Sequence, residues 1–169
     1  MNRCYPLFIL FGGLLLLLMH SCGDISPVWK GAAKLDTLTL YFSEPLEFDI
    51  RFNHPEPELE TMLELAITYD QGINLGSLPL FLTIEDEETH TVREFSIEVP
   101  LREEGQWLGY PEENGVDMTV SYIAIQELTL KSDQTYQLKI FANDEESEKI
   151  YGIIEVVARL YPQVQEEEE

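Results

Sequence analysis

The sequence predicts an all-β protein, an antiparallel β-sandwich of the Ig-like or jelly-roll-like kind with about eight strands. Three observations predict it. Apolar residues recur at every second position in segment after segment, while polar, Gly- or Pro-bearing turns separate those segments at short intervals. No stretch holds a helical period over three turns; "ELETMLEL" comes nearest, and the following "AITY" continues it as alternation. Eighteen aromatic residues (8 Tyr, 8 Phe, 2 Trp) supply core material that a disordered acidic chain lacks.

The elements follow in order. In "LTLYF", Leu38, Leu40 and Phe42 fall on one face. In "PLEFDIRF", Leu46, Phe48, Ile50 and Phe52 alternate with Glu47, Asp49 and Arg51, the cleanest half-buried strand pattern in the chain. Two prolines in "HPEPE" end it. "MLELAITY" then places Leu63, Leu65, Ile67 and Tyr69 together. After the loop "DQGINLGSLP", the segment "LFLTI" turns Leu80, Leu82 and Ile84 inward. "EDEETH" is a turn, and "REFSIEV" alternates Phe95, Ile97 and Val99 with acids and serine. A long connection, "PLREEGQWLGYPEENG", leads to "MTVSYIAI", whose pattern runs on to Leu130. "TYQLKIF" and "GIIEVVARLY" close the domain, with the Glu-rich loop "NDEESEK" between them.

The first residues supply an address. Arg3, an apolar run from Tyr5 to Met19, and a short polar stretch ending at Cys22 have the build of a secretory signal. The run falls short of the roughly 20 apolar residues that span a bilayer, and Pro6 discourages an unbroken helix. Met19-His20-Ser21-Cys22 resembles a bacterial lipobox, with Met19 in place of leucine and His20 departing from the usual small residue. Lipidation of Cys22 is the expectation; ordinary secretion, with Cys22 a plain thiol, is the alternative. Cys4 would leave with the signal, so an acylated Cys22 leaves no thiol for a disulfide, a metal or a nucleophile. Stable anchoring takes more than one acyl chain, which a bacterial lipoprotein carries.

The expected organisation is a signal peptide over 1–21, a lipidated tether over 22–34 ("GDISPVWKGAAK" is rich in Gly, Ser, Pro and Ala), the sandwich over 35–162, and an acidic disordered tail over 163–169. A formal charge of −22 argues against nucleic acid, whose phosphates require Lys and Arg. It also argues against lying flat on anionic headgroups.

Chemistry-bearing motifs are scarce. His54 precedes a proline in a turn and His90 sits at a hairpin shoulder, neither with metal-ligand spacing. No G-x-S-x-G elbow or phosphate-cradling glycine loop occurs. With 32 acids, a chance carboxylate pair carries no signal for a hydrolase. The runs "EDEE" and "NDEESE" read as solvated tips; neither spaces its oxygens as a Ca²⁺ loop does. No catalytic residue, cofactor or metal is therefore expected. The more specific feature is "GQWLGY", residues 105–110: a tryptophan between glycines is costly to expose without purpose. Trp107 either plugs one end of the sandwich or, with Tyr110, forms a contact patch for a protein or a sugar.

From about Trp29 to Tyr161 the chain resembles the gliding-motility lipoprotein GldH family of the Bacteroidetes. The resemblance rests on Cys22, on Trp29 and Asp36 leading "DTLTLYF", and on "LEFDIRF", "INLGSLPLFLTI", "GQWLG", "QTYQLKIF" and "GIIEVVARL" in that order. "WLG" is its most specific piece. Phe141-Ala142 and the closing Val157-Ala158-Arg159-Leu160 depart from the family pattern, as in a divergent member. The resemblance implies a non-catalytic envelope lipoprotein working with gliding and type IX secretion machinery through envelope protein partners. A lipid-anchored glycan-binding module is the alternative. Gly23, with Asp24 as the only early acid, provides no strong surface-export tag, so the expected location is the outer membrane, facing the periplasm.

Overall fold

The computed structural model describes residues 26–143 and 148–163. Cys22, the leader and the tail beyond Gln163 lie outside the described residues, as does most of "NDEESE". Every regular element described is a strand. In chain order these are β1 (Trp29–Lys34), β2 (Thr39–Tyr41), β3 (Leu46–Ile50), β4 (Glu58–Asp70) and β5 (Ser77–Asp86). There follow β6 (Val92–Pro100), β7 (Arg102–Glu103), β8 (Gln106–Trp107) and β9 (Tyr110–Pro111). The last are β10 (Asp117–Lys131), β11 (Tyr136–Ala142), β12 (Lys149–Tyr151) and β13 (Ile153–Pro162).

Two antiparallel sheets form the sandwich. One runs β1-β13-β4-β10-β9 and the other β3-β11-β5-β6; β12-β2 and β7-β8 are small ribbons. The extra elements beyond about eight are these ribbons and the two-residue edge β9. All the ladders are antiparallel. The alternation in β4 and β5 is what the core demands: Leu63, Leu65, Ile67 and Tyr69 face Leu78, Leu80, Leu82 and Ile84 in one cluster, all fully buried. Thr61 is also buried there, and its hydroxyl donates to Leu128 O at 2.7 Å. That carbonyl lies where β10 slips register against β4, so the side chain satisfies a backbone group at the irregularity.

Several expectations need correction. The stretch 29–34 is no tether: β1 pairs with β13 from Trp29↔Leu160 to Lys34↔Glu155. Its inward positions are Trp29, Gly31 and Ala33, and a Cβ on Gly31 would lie 2.7 Å from Phe48 Cδ1. Small residues are needed because the rings of Trp29 and Phe48 fill that space. Leu38, Leu40 and Phe42 do not share a buried face. Leu40 is buried, but Leu38 sits in a turn at φ 51° and is 42% exposed, and Phe42 is 55% exposed. β2 is only three residues long and pairs with β12, off the main sheets. Phe95 and Ile97 are half-buried rather than core, because β6 is an edge strand; only Val99 on that strand is sealed.

Candidate functional site

The Trp107 loop is built from the sheet ends upward. After β6 the chain enters the core at Leu101, which is fully buried, and the amides of Leu101 and Arg102 both donate to Gly76 O at 2.9 and 3.0 Å. β7 and β8 then form a two-residue hairpin pairing Arg102 with Trp107. Its turn residues, Glu104 and Gly105, have φ 49° and 81°, the backbone that a right-twisted hairpin requires. Leu108 N closes the loop on Leu101 O at 2.9 Å.

Trp107 is half-buried and packs on the core. Its ring lies 5.6 Å from that of Tyr69 at 49°, and the Arg102 guanidinium carbon sits 3.5 Å from its centroid. Arg102 Nη2 also donates to Ile73 O at 3.2 Å, which fixes the cation over the ring. The Tyr69 hydroxyl reaches Leu108 O at 2.8 Å, with Leu101 O at 3.3 Å. One core tyrosine thus ties down both ends of the hairpin, and Trp107 takes the plugging position. Tyr110 stands apart. It pairs with Thr119 on the outward side of β10 and is 57% exposed. Gly109, at φ 91°, lets the chain pass: a Cβ there would lie 2.1 Å from Thr119 O.

The two residues proposed as one patch are therefore placed differently, Trp107 as support and Tyr110 as display. Their proximity in sequence does not make them one surface. Sequence reasoning missed Tyr69 and Arg102. A signal existed in "REEGQW", where Glu-Gly at the centre of a two-residue hairpin sets Arg opposite Trp.

Burial pushes the Tyr69 phenol above its ordinary value, and the Arg102 charge pulls it partly back. A raised value means that the neutral hydroxyl stabilises the fold below the unfolded tyrosine value of about 10, a contribution lost as pH rises through the folded value. Tyr69→Phe should cost about 1–2 kcal/mol at neutral pH, for the lost hydrogen bonds. Melting curves above pH about 10 should then fall more steeply for the wild type than for the variant.

The other polar features have local roles. His54 N and O are both bonded to the Ser132 hydroxyl, at 2.8 and 3.0 Å. His90, at φ 55°, lies 3.3 Å from Glu85 Oε1. Within "EDEE", Asp86 Oδ1 accepts the amides of Glu88 and Thr89 at 2.9 and 3.1 Å. Desolvation alone would raise the Asp86 carboxyl, but these turn bonds hold it below its ordinary value. Among the described residues, no three His, Cys, Asp or Glu side chains converge as a metal-holding group. On the outer face of the four-stranded sheet, Phe81 and Phe141 pair with ring centroids 6.0 Å apart.

No protein-family model matches the chain, and no curated protein does. Among solved structures it is similar to the mosquito-larvicidal Cry4Aa toxin of Bacillus thuringiensis: 12% identity, TM-score 0.48, over 79% of this chain and 22% of the toxin. A fructofuranosidase from Schwanniomyces occidentalis matches at 12% identity and TM-score 0.38, over 82% of this chain and 34% of the enzyme. The Eiger TNF of S. frugiperda matches at 8% identity and TM-score 0.36, over 83% and 90%. The chain spans about a fifth to a third of the first two proteins. Likenesses this distant carry no argument about activity.

Proposed function

We propose that this protein is a non-catalytic lipoprotein of the cell envelope, tethered through acylated Cys22, whose sandwich acts by contact with envelope proteins. On the resemblance described above, those partners belong to gliding-motility and type IX secretion machinery. The observation that carries the contact reading is Tyr110. Its ring is left 57% exposed on a strand held against β10, beside a loop locked by Trp107, Tyr69 and Arg102. A rigid aromatic displayed at low entropic cost is the kind of residue on which protein interfaces concentrate their energy. Tethering raises the effective concentration, so weak contacts suffice.

In cells, Tyr110→Ser should reduce cross-linking to envelope partners by about tenfold or more, the loss of a hot spot, while leaving the melting temperature near that of the wild type. Trp107→Ala should lower the melting temperature instead. Unchanged cross-linking in Tyr110→Ser would remove the contact role. Cys22→Ala should abolish palmitate labelling and leave an uncleaved precursor. A purified protein that hydrolyses a glycan or ester, with loss of turnover on a single Glu or Asp change, would sink the non-catalytic reading.

The Phe81–Phe141 pair favours a second reading, a glycan-binding face, since two neighbouring rings tilted at 50° on the outer sheet face offer apolar contact to a sugar. Calorimetric binding of polysaccharide that disappears in Phe81→Ala would establish it over the first.

A further inference from the structure

The five-stranded sheet ends at β1 and the four-stranded sheet at β6, each with one side open. Among the described residues, β1 pairs only with β13 and β6 only with β5. Hydrogen bonds at the strand ends fix which residues present their backbone to the open side. Leu35 N donates to Ile154 O at 2.8 Å, in register with the β1–β13 ladder. The odd residues of β1 therefore turn their N–H and C=O groups towards β13, and Lys30, Ala32 and Lys34 turn theirs outward. Flanking β6, Asp86 N donates to Thr91 O at 3.0 Å and Leu101 N to Gly76 O at 2.9 Å, both in register with the β5–β6 ladder. Its odd residues thus bond to β5, and the open groups belong to Glu94, Ser96 and Glu98. These six residues also carry the solvent-facing side chains of their strands. Their inward neighbours, Gly31 and Ala33 on β1 and Phe95 and Ile97 on β6, are half-buried.

We propose that these two edges are complementary, and that copies of this chain join head to tail by adding β1 of one copy to β6 of the next. The strands are set antiparallel, with Lys30 opposite Glu98, Ala32 opposite Ser96 and Lys34 opposite Glu94. All three pairs then exchange both backbone hydrogen bonds and keep their side chains on the outer face. A parallel ladder cannot do so, because it would set outward residues of one strand opposite inward residues of the other. A slide of one residue fails for the same reason. A slide of two either leaves Lys34 opposite Val92 or brings in Pro100, which has no N–H to donate. Only this register sets both lysines against both glutamates. Beneath it, Gly31 and Ala33 meet Ile97 and Phe95, so small residues receive the large side chains that the edge position leaves half-covered.

Charges on an edge strand ordinarily repel an added strand; here each meets its opposite. Among the described residues none of the four is engaged in an ion pair. Across β13, Lys30 faces Arg159 and Lys34 faces Glu155, while β5 sets only Pro79 and Thr83 beside Glu98 and Glu94. Each copy carries a net charge of −22, but repulsion beyond the joint is screened over about 8–10 Å at 0.1–0.15 M salt. The edges lie on opposite sides of the sandwich. Trp29 of β1 bonds to Asp49 on the edge strand β3, and Arg93 of β6 bonds to Thr129 of β10. Two copies therefore cannot close both joints with each other, and the contact propagates.

Two full-length chains, one with Ala32→Cys and one with Ser96→Cys, would be co-expressed with different tags and treated in intact cells with a short bis-maleimide. The unsubstituted chain supplies the background. Opposed Cα atoms in such a pair lie about 5.5 Å apart, so the mixed product joining positions 32 and 96 should exceed either same-site product at least about fivefold. Glu94→Lys with Glu98→Lys in the Ser96→Cys chain should reduce the mixed product at least about fivefold, since like charges then stand opposite each other. Adding Lys30→Glu with Lys34→Glu to the other chain should restore it, which separates a broken contact from a misfolded chain. Absence of the mixed product, or same-site products in its place, would overturn the joint. So would a yield that the glutamate reversal leaves unchanged, or a loss that the lysine reversal does not restore. The joint does not depend on acylation, so palmitate labelling at Cys22 tests the anchored reading separately.

Discussion

Replacing Phe48 by alanine is expected to cost about 3–5 kcal/mol, the range for emptying a buried phenylalanine site. Phe48 is buried on β3 and meets Trp29 edge-on, with centroids 6.4 Å apart and planes at 86°. Trp29 in turn donates its indole N–H to Asp49 O at 3.1 Å, and Gly31 passes against the Phe48 ring. The ring is therefore the filling between β1 on one sheet and β3 on the other. Its loss leaves a cavity that neither strand can close without moving Trp29. Urea denaturation should show a lower midpoint with an unchanged slope. The same truncation at Phe95, half-buried on the edge strand β6, should cost less than half as much. A loss below about 1 kcal/mol at Phe48 would mean that the site collapses freely and that the ring does not hold the sheets in place.

Gly109→Ala is the second large effect. At φ 91° any Cβ is strained, and here it would also lie 2.1 Å from Thr119 O and 2.7 Å from Thr119 C, both backbone atoms. Neither contact can be relieved by turning a side chain, so β9 must leave β10. The expected cost is about 2–3 kcal/mol, the upper part of the range for a residue forced into a disfavoured backbone region. Hydrogen exchange should locate the change, with faster exchange at Thr119 and Glu112 and little change in β4 or β5. Because Tyr110 loses its support, partner cross-linking should drop with it. A variant as stable as the wild type would show that β9 is not held by the passage at Gly109.

Much of the fold was legible because large inward residues announce themselves. β4 and β5 place leucine, isoleucine and tyrosine at every second position, and those inward positions are buried. β1 was not legible, because the space it occupies is already filled by Phe48 and Trp29, so its own inward residues shrink to Gly31 and Ala33. The pattern then looks like linker composition. β2 failed in the opposite sense: Leu38 and Phe42 alternate correctly with Leu40, but a three-residue ribbon at the sandwich end has no second layer to cover them. At the Trp107 loop the sequence identifies the residue and leaves open its surroundings. Whether a tryptophan plugs or protrudes depends on Tyr69 and Arg102, one of which comes from a strand far back in the chain.

The pairing of β1 with β13 has a kinetic consequence. Of the strands described, β1 is synthesised first and its ladder partner β13, from Trp29↔Leu160 onward, last. β13 is also the strand that joins β1 to β4. Closing that loop costs chain entropy before any of the ladder is gained, and pairings this distant in sequence are slow. A chain emerging N-terminus first therefore cannot complete its larger sheet until β13 has arrived. In the proposed envelope role, where the chain would cross a membrane unfolded, this delay is useful, because the connectivity itself postpones the native state until β13 has been delivered.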